Sequence, residues 1–140
     1  MKKSILTVLG IVVATISILA ADGQNQLTVV VKNMQSTEGT LRVTIFDSES
    51  NWLIEGQLQL VPVDNKDAVT VIFEDIPNGT YGVAVIHDQN NNNEMDTGTF
   101  GIPIEAYGFS NDARGMFGPA DFDDSKFEIS GNKQIEINIK

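Results

Sequence analysis

Five side chains, Asp88, Asn90, Asn92, Glu94 and Asp96, place an oxygen at every second position of one short stretch. Carboxylate and amide oxygens at that spacing suit a hard cation, because one loop can then wrap the ion. Read as a calcium loop, Asp88, Asn90 and Asn92 occupy the first, third and fifth positions. Glu94 takes the seventh, through its backbone carbonyl, and Asp96 the ninth, directly or through water. Met95 falls where such loops carry an apolar anchor. Asn93 stands at the sharp turn usually given to Gly, a substitution that Asn tolerates because it enters the left-handed region readily. Thr99 stands where a bidentate Glu would close the shell, which leaves Glu105, Asp112 or Asp121 to fold over and supply a carboxylate. With so few carboxylates the expected affinity lies in the weak extracellular range, about 10⁻⁴ to 10⁻³ M. The competing expectation is a turn-forming loop whose Asn side chains bond their own backbone.

Other residues offer less. His87 is the single histidine, next to Asp88 on a strand end, and is expected to hold the rim of the core rather than to move protons. Arg114 is the one Arg or Lys between Lys66 and Lys126; it suits a structural hub, with capture of an anionic group as the sharper alternative. Glu105 and Asp112 near Tyr107 are the pair that a carboxylate-based hydrolase of envelope or extracellular substrates would use. Asp121, Asp123 and Asp124 read as a solvated acidic turn. No Ser-His-Asp set, zinc motif or phosphate-cradling Gly loop occurs, so no catalytic residue is assigned and an enzyme is not expected. Trp52, Tyr107, Phe109, Phe117 and Phe122 could line a ligand pocket at the loop end, with core packing the plainer use; Trp52 is expected to plug the open end of the fold.

The elements that must position these groups are strands. Thr80 to His87 alternates, with Tyr81, Val83, Val85 and His87 on one face, after a polar turn at Pro77-Asn78-Gly79. Strands are also expected at 27–32 and 40–46, pairing as a hairpin; at 57–63, with Leu58 and Leu60 inward on an edge; and at 68–73. A short strand is expected at 106–109 within the Gly-, Pro- and aromatic-rich run 100–122. Strands at 126–129 and 134–139 are expected to form a closing hairpin about Gly131-Asn132. No run of ten or more residues has helical period beyond the N-terminal segment. Seven or eight short strands predict one antiparallel β-sandwich of immunoglobulin-like or transthyretin-like type, with its long loops at one end.

Residues 1–21 put Lys2 and Lys3 ahead of an apolar run and end in Ala20-Ala21, the layout of a secretory signal peptide; a retained anchor is the alternative. Cleavage would leave 22–140 as a single domain, exported to the periplasm or outside the cell, where calcium is abundant. The chain carries 19 acids against 9 Lys and Arg, a net charge of −10, which becomes −12 once Lys2 and Lys3 are removed. Such a surface excludes nucleic acid and anionic lipid as partners, with no membrane insertion after cleavage. A protein, a glycan or a small ligand remains open, as does the oligomeric state. Absence of Cys excludes disulfides, thiolate sites and a lipid-modified Cys tether.

Phe73-x-x-Ile76-Pro77-x-Gly79-Thr80-Tyr81-x-Val83-x-Val85 resembles a stretch of transthyretin-like and collagen-adhesin-B-like sandwiches. Over nearly all of 22–140 the chain resembles an exported bacterial family of unknown function, number two-one-four-one. The resemblance rests on Phe46-Asp47, Gly79-Thr80-Tyr81, His87-Asp88-x-Asn90-x-Asn92, Asp96, Phe100-Gly101-Ile102-Pro103, Glu105-x-Tyr107-Gly108-Phe109-Ser110-Asn111 and Arg114-Gly115. It implies fold and export, and no activity. Asn93 departs from the Gly of that family.

Overall fold

The computed structural model describes residues 24–140, so the expected export segment at 1–21 lies outside the described residues. Eight strands run in chain order: β1 (Asn25–Lys32), β2 (Thr40–Phe46), β3 (Gln57–Pro62), β4 (Ala68–Ile76), β5 (Gly79–Asp88), β6 (Tyr107–Phe109), β7 (Phe127–Ile129) and β8 (Lys133–Asn138). The one α-helix among the described residues is the single turn α1 (Phe122–Ser125). The strands form an all-β sandwich. One sheet has the order β4-β1-β8, and the other β3-β2-β5-β6, with β7 paired to the first residues of β5.

Alternation builds the core between the sheets. Leu27, Val29 and Val31 of β1 face Leu41, Val43 and Ile45 of β2 and Val83 and Val85 of β5, all buried. β4 adds Val69, Val71 and Phe73, and the end of the chain adds Ile137 and Ile139. Each fully buried side chain of this kind contributes about 1.5–3 kcal/mol, so the alternating pattern suffices to drive collapse.

Two pairings differ from expectation. β1 and β2 do not form a hairpin: β1 pairs with β4 and, in parallel, with β8, while β2 pairs with β3 and β5. The 33–39 connection carries the buried Met34, whose N–H donates to Lys66 O (3.1 Å), and it passes from one sheet to the other. β7 and β8 do not form a hairpin either. β7 joins β5 and β8 joins β1, with Asn132 accepting the Gln26 N–H (2.8 Å) at the crossing.

β3 is an edge strand as expected, but with its faces exchanged. Its register sets Val61 against Leu41, Gln59 against Val43 and Gln57 against Ile45, so the inward side is Gln57, Gln59 and Val61. Leu58 and Leu60 lie on the outer face, 43% and 53% exposed. Strand side chains repeat every two residues, so pairing alone decides which set is inside. Gln59 Nε2 then donates to Ile72 O (2.7 Å) on β4, tying together the edges of the two sheets.

The long connections do not share one end. Asp88 lies opposite Thr40 and Gly82 opposite Phe46, so the 88–106 and 47–56 connections leave the five-stranded sheet from opposite ends. Trp52 therefore does not plug the sandwich. It packs on the outer face beside Phe46, Phe109 and Phe122, with ring centroids 5.0, 5.8 and 5.6 Å away, and its Nε1 donates to Ala120 O (2.9 Å). Gly82 makes room for it: a Cβ there would stand 2.7 Å from the ring.

Candidate functional site

β5 delivers its last residue, Asp88, to the mouth of the Asn-rich loop at 1% exposure. Asp88 Oδ1 accepts the Asn92 N–H (3.1 Å) and Oδ2 the Asn93 N–H (2.8 Å). Asn90 Oδ1 accepts Asn92 N–H (3.2 Å), and Asn92 Oδ1 accepts Glu94 N–H (3.0 Å). These side-chain-to-backbone bonds curl the loop inward, in the manner of successive Asx turns. Asn91 and Asn93 take left-handed φ of 55° and 64°, so Asn93 serves the sharp turn as expected.

The third, fifth and ninth positions converge. Asn90 Nδ2 reaches Asp96 Oδ2 (2.5 Å) and Asn92 Nδ2 reaches Asp96 Oδ1 (2.7 Å). Glu94 is exposed. Glu105, 6% exposed, does fold over the loop, but as a clasp: Oε1 accepts Gln89 N–H (3.0 Å) and Oε2 accepts Asp96 N–H (3.2 Å). Among the described residues no three His, Asp or Glu side chains gather as a metal cluster. The Asn90 and Asn92 oxygens are taken by the Asn92 and Glu94 N–H groups while both amide nitrogens face Asp96, so a hard cation would meet the Asp96 carboxylate only by displacing those amides.

The mouth depends on two residues that sequence reasoning passed over. Gly39, φ +77°, lies so close that a Cβ would stand 2.1 Å from Asp88 O. Thr40 Oγ1 donates to Asn91 Oδ1 (2.7 Å). His87 is fully buried on the core side, its Nε2 2.8 Å from Glu38 O, which makes it a strut for the 33–39 turn.

Glu105 and Asp112 hold different parts of the chain. Asp112 accepts Asn138 N–H and Asn138 Nδ2–H, both at 2.8 Å, on β8. Arg114 donates to Tyr107 O (3.3 Å) and Asn138 O (3.0 Å), the hub role expected of it. Buried Ser110 accepts Val83 N–H (2.9 Å), and Asn111 Nδ2 donates to Asp124 O and Lys126 O (3.0 and 2.9 Å). The 110–114 run is thus a buckle that orders the long connection. Asp123 pairs with Lys126 (2.7 Å) in the acidic turn.

The larger feature is a groove of about 920 Å³ on the outer face of the five-stranded sheet. Its floor is Arg42 and Thr44 of β2, Leu58 of β3, Ala84 and Ile86 of β5, and Tyr107 and Phe109 of β6. Leu53 and Ile54 wall one end. Phe100 and Ile102 overhang from one loop, and Met116 and Phe117 from another. Phe100, Met116 and Phe117 are 96%, 87% and 98% exposed. Of the expected pocket aromatics, Tyr107, Phe109 and Phe117 line this groove, while Trp52 and Phe122 form the packed cluster that bounds it. The outward Leu58 was the missed signal: a strand read with its faces exchanged hides an apolar outer surface.

An all-β sandwich with an Asx-rich loop beside an apolar groove is the class that fold and site define. Residues 29–138 match the family described as uncharacterized protein conserved in bacteria (DUF2141), and the chain belongs to it. No curated protein and no solved structure matches the chain.

Proposed function

We propose that this chain is an exported, non-catalytic binding module that takes an apolar ligand in the groove on its outer sheet face. The observation that carries this is the groove itself. Its volume falls within the range of about 300–1,000 Å³ usual for ligand sites, and aromatic side chains stand almost wholly in solvent at its lip. Large contiguous apolar surface costs solubility and is kept where something covers it. Export is supported by the 1–21 pattern, and a non-catalytic role by the use of Glu105 and Asp112 as backbone acceptors. Binding of a neutral fluorescent naphthylamine tests the groove. Enhanced emission that is lost in Ala84→Trp, which fills the floor, is expected; emission unchanged by protein would sink the reading.

The 88–96 loop supports a second element, a calcium ion that stiffens the groove's rim, since Met95 within it and residues 100–103 shortly after it line the groove. Converging Asn90, Asn92 and Asp96 motivate it. Thermal melting in millimolar calcium against chelator measures it: a rise of several degrees is expected, and coincident melts would remove calcium from the account.

A further inference from the structure

We infer that the groove's ligand is a single-chain amphiphile with one anionic head, a fatty-acid carboxylate, whose head meets Arg42 and whose tail lies along the sheet face. This rests on the reading of the groove as a binding surface and adds the chemistry of the occupant.

Charge comes first. The chain has 19 acids and 9 Lys and Arg, yet of the residues lining the groove Arg42 alone carries a charge. Among the described residues the ion pairs are Lys32 with Glu136 and Lys126 with Asp123, so Arg42 has no carboxylate partner. One bond holds it, Nη1 to the neutral Asn93 Oδ1 at 3.1 Å, which leaves guanidinium donors for another acceptor. A planar fork on an apolar floor matches a carboxylate, and repulsion from more distant acids is screened beyond about 8 Å at physiological salt.

Shape comes second. Across the sheet one row reads Leu58, Thr44, Ala84, Phe109: two small side chains between two large ones, which makes a trough. The next row reads Leu60, Arg42, Ile86, Tyr107 and sets the cation at one end of that trough. At the other end Trp52 stands over Gly82 and Phe46. From Arg42 to Phe46 the strand advances about 13 Å, room for a medium-length acyl chain.

The floor also argues against a peptide. A sheet face offers side chains and no backbone donors or acceptors, so a polypeptide laid there would bury its own N–H and C=O groups unpaired, whereas an alkyl chain has none to lose.

The test titrates purified protein with neutral phenylnaphthylamine and then displaces it with dodecanoate, its methyl ester or dodecyltrimethylammonium, all below micelle formation. Dodecanoate is expected to displace at concentrations about tenfold lower than either analogue. Arg42→Met should remove that advantage, dodecanoate then displacing the probe no better than its methyl ester, and Arg42→Lys should restore part of it. Equal displacement by the three amphiphiles, or an unaltered preference in Arg42→Met, overturns the head-group assignment and leaves the groove standing. Failure of the probe to bind overturns both. A concentration-dependent dimer that excludes the probe would assign the face to a second copy, and binding to neutral vesicles alone would assign it to a bilayer; either overturns the proposal.

Discussion

Asp88 shows how much one carboxylate does in this loop. It is buried and accepts two backbone N–H groups from the turn it launches, so Asp88→Ala strands both donors and removes a charge-assisted acceptor. Loss of about 2–4 kcal/mol is expected in urea denaturation, with Asp88→Asn recovering part of it. Asp47 works at smaller scale. Hydrogen bonds from Asn51 and then Ser48 hold its carboxyl below the ordinary value of 3.8. A depressed folded pKa contributes stability above the unfolded value and loses it as pH falls through the folded one. Asn51→Ala should therefore raise the Asp47 titration seen by NMR toward 3.8; an unmoved titration would discard the cause given. The loop's spacing was legible because the loop is local: each Asx side chain bonds a backbone group a few residues on. Glu105 was legible as a residue that folds over the loop but not as a clasp on its backbone, and the close approach of Gly39 was not legible at all, because it comes from a distant part of the chain.

At the scale of elements the strands were legible nearly residue by residue, since alternation is written in the chain itself. Their partners were not. Exchange of the β3 faces gives a direct check: Leu60→Lys should change stability by no more than about 0.5 kcal/mol, whereas Val61→Asp should cost about 2 kcal/mol or more, both by chemical denaturation. Reversed costs would return Leu60 to the interior. Gly82 tests the outer cluster. A methyl there meets the Trp52 ring at 2.7 Å and Phe122 at 3.2 Å, so Gly82→Ala should cost about 1–3 kcal/mol and shift Trp52 fluorescence toward that of solvated indole.

For the whole molecule, two sheets of three and five strands leave one broad face without a covering layer, and the loops arch over it instead of packing flat upon it. A calcium-stiffened 88–96 loop would fix one rim of that trough. Millimolar calcium is then expected to tighten probe binding as well as raise the melting temperature, and Asp96→Asn should weaken both responses. Among the described residues no helix is long and apolar enough to cross a membrane. What the amino-acid order determined unaided was the all-β class, the strand positions and the oxygen-rich loop, because two-residue alternation and Asx turns act over a handful of neighbours. The tertiary structure alone decided that β1 and β2 part company, that Leu58 and Leu60 face out, and that Arg42 sits at the head of an apolar trough. Each depends on which strands pair and in what register, and pairing across 20 to 100 residues is settled by the burial of the whole core at once.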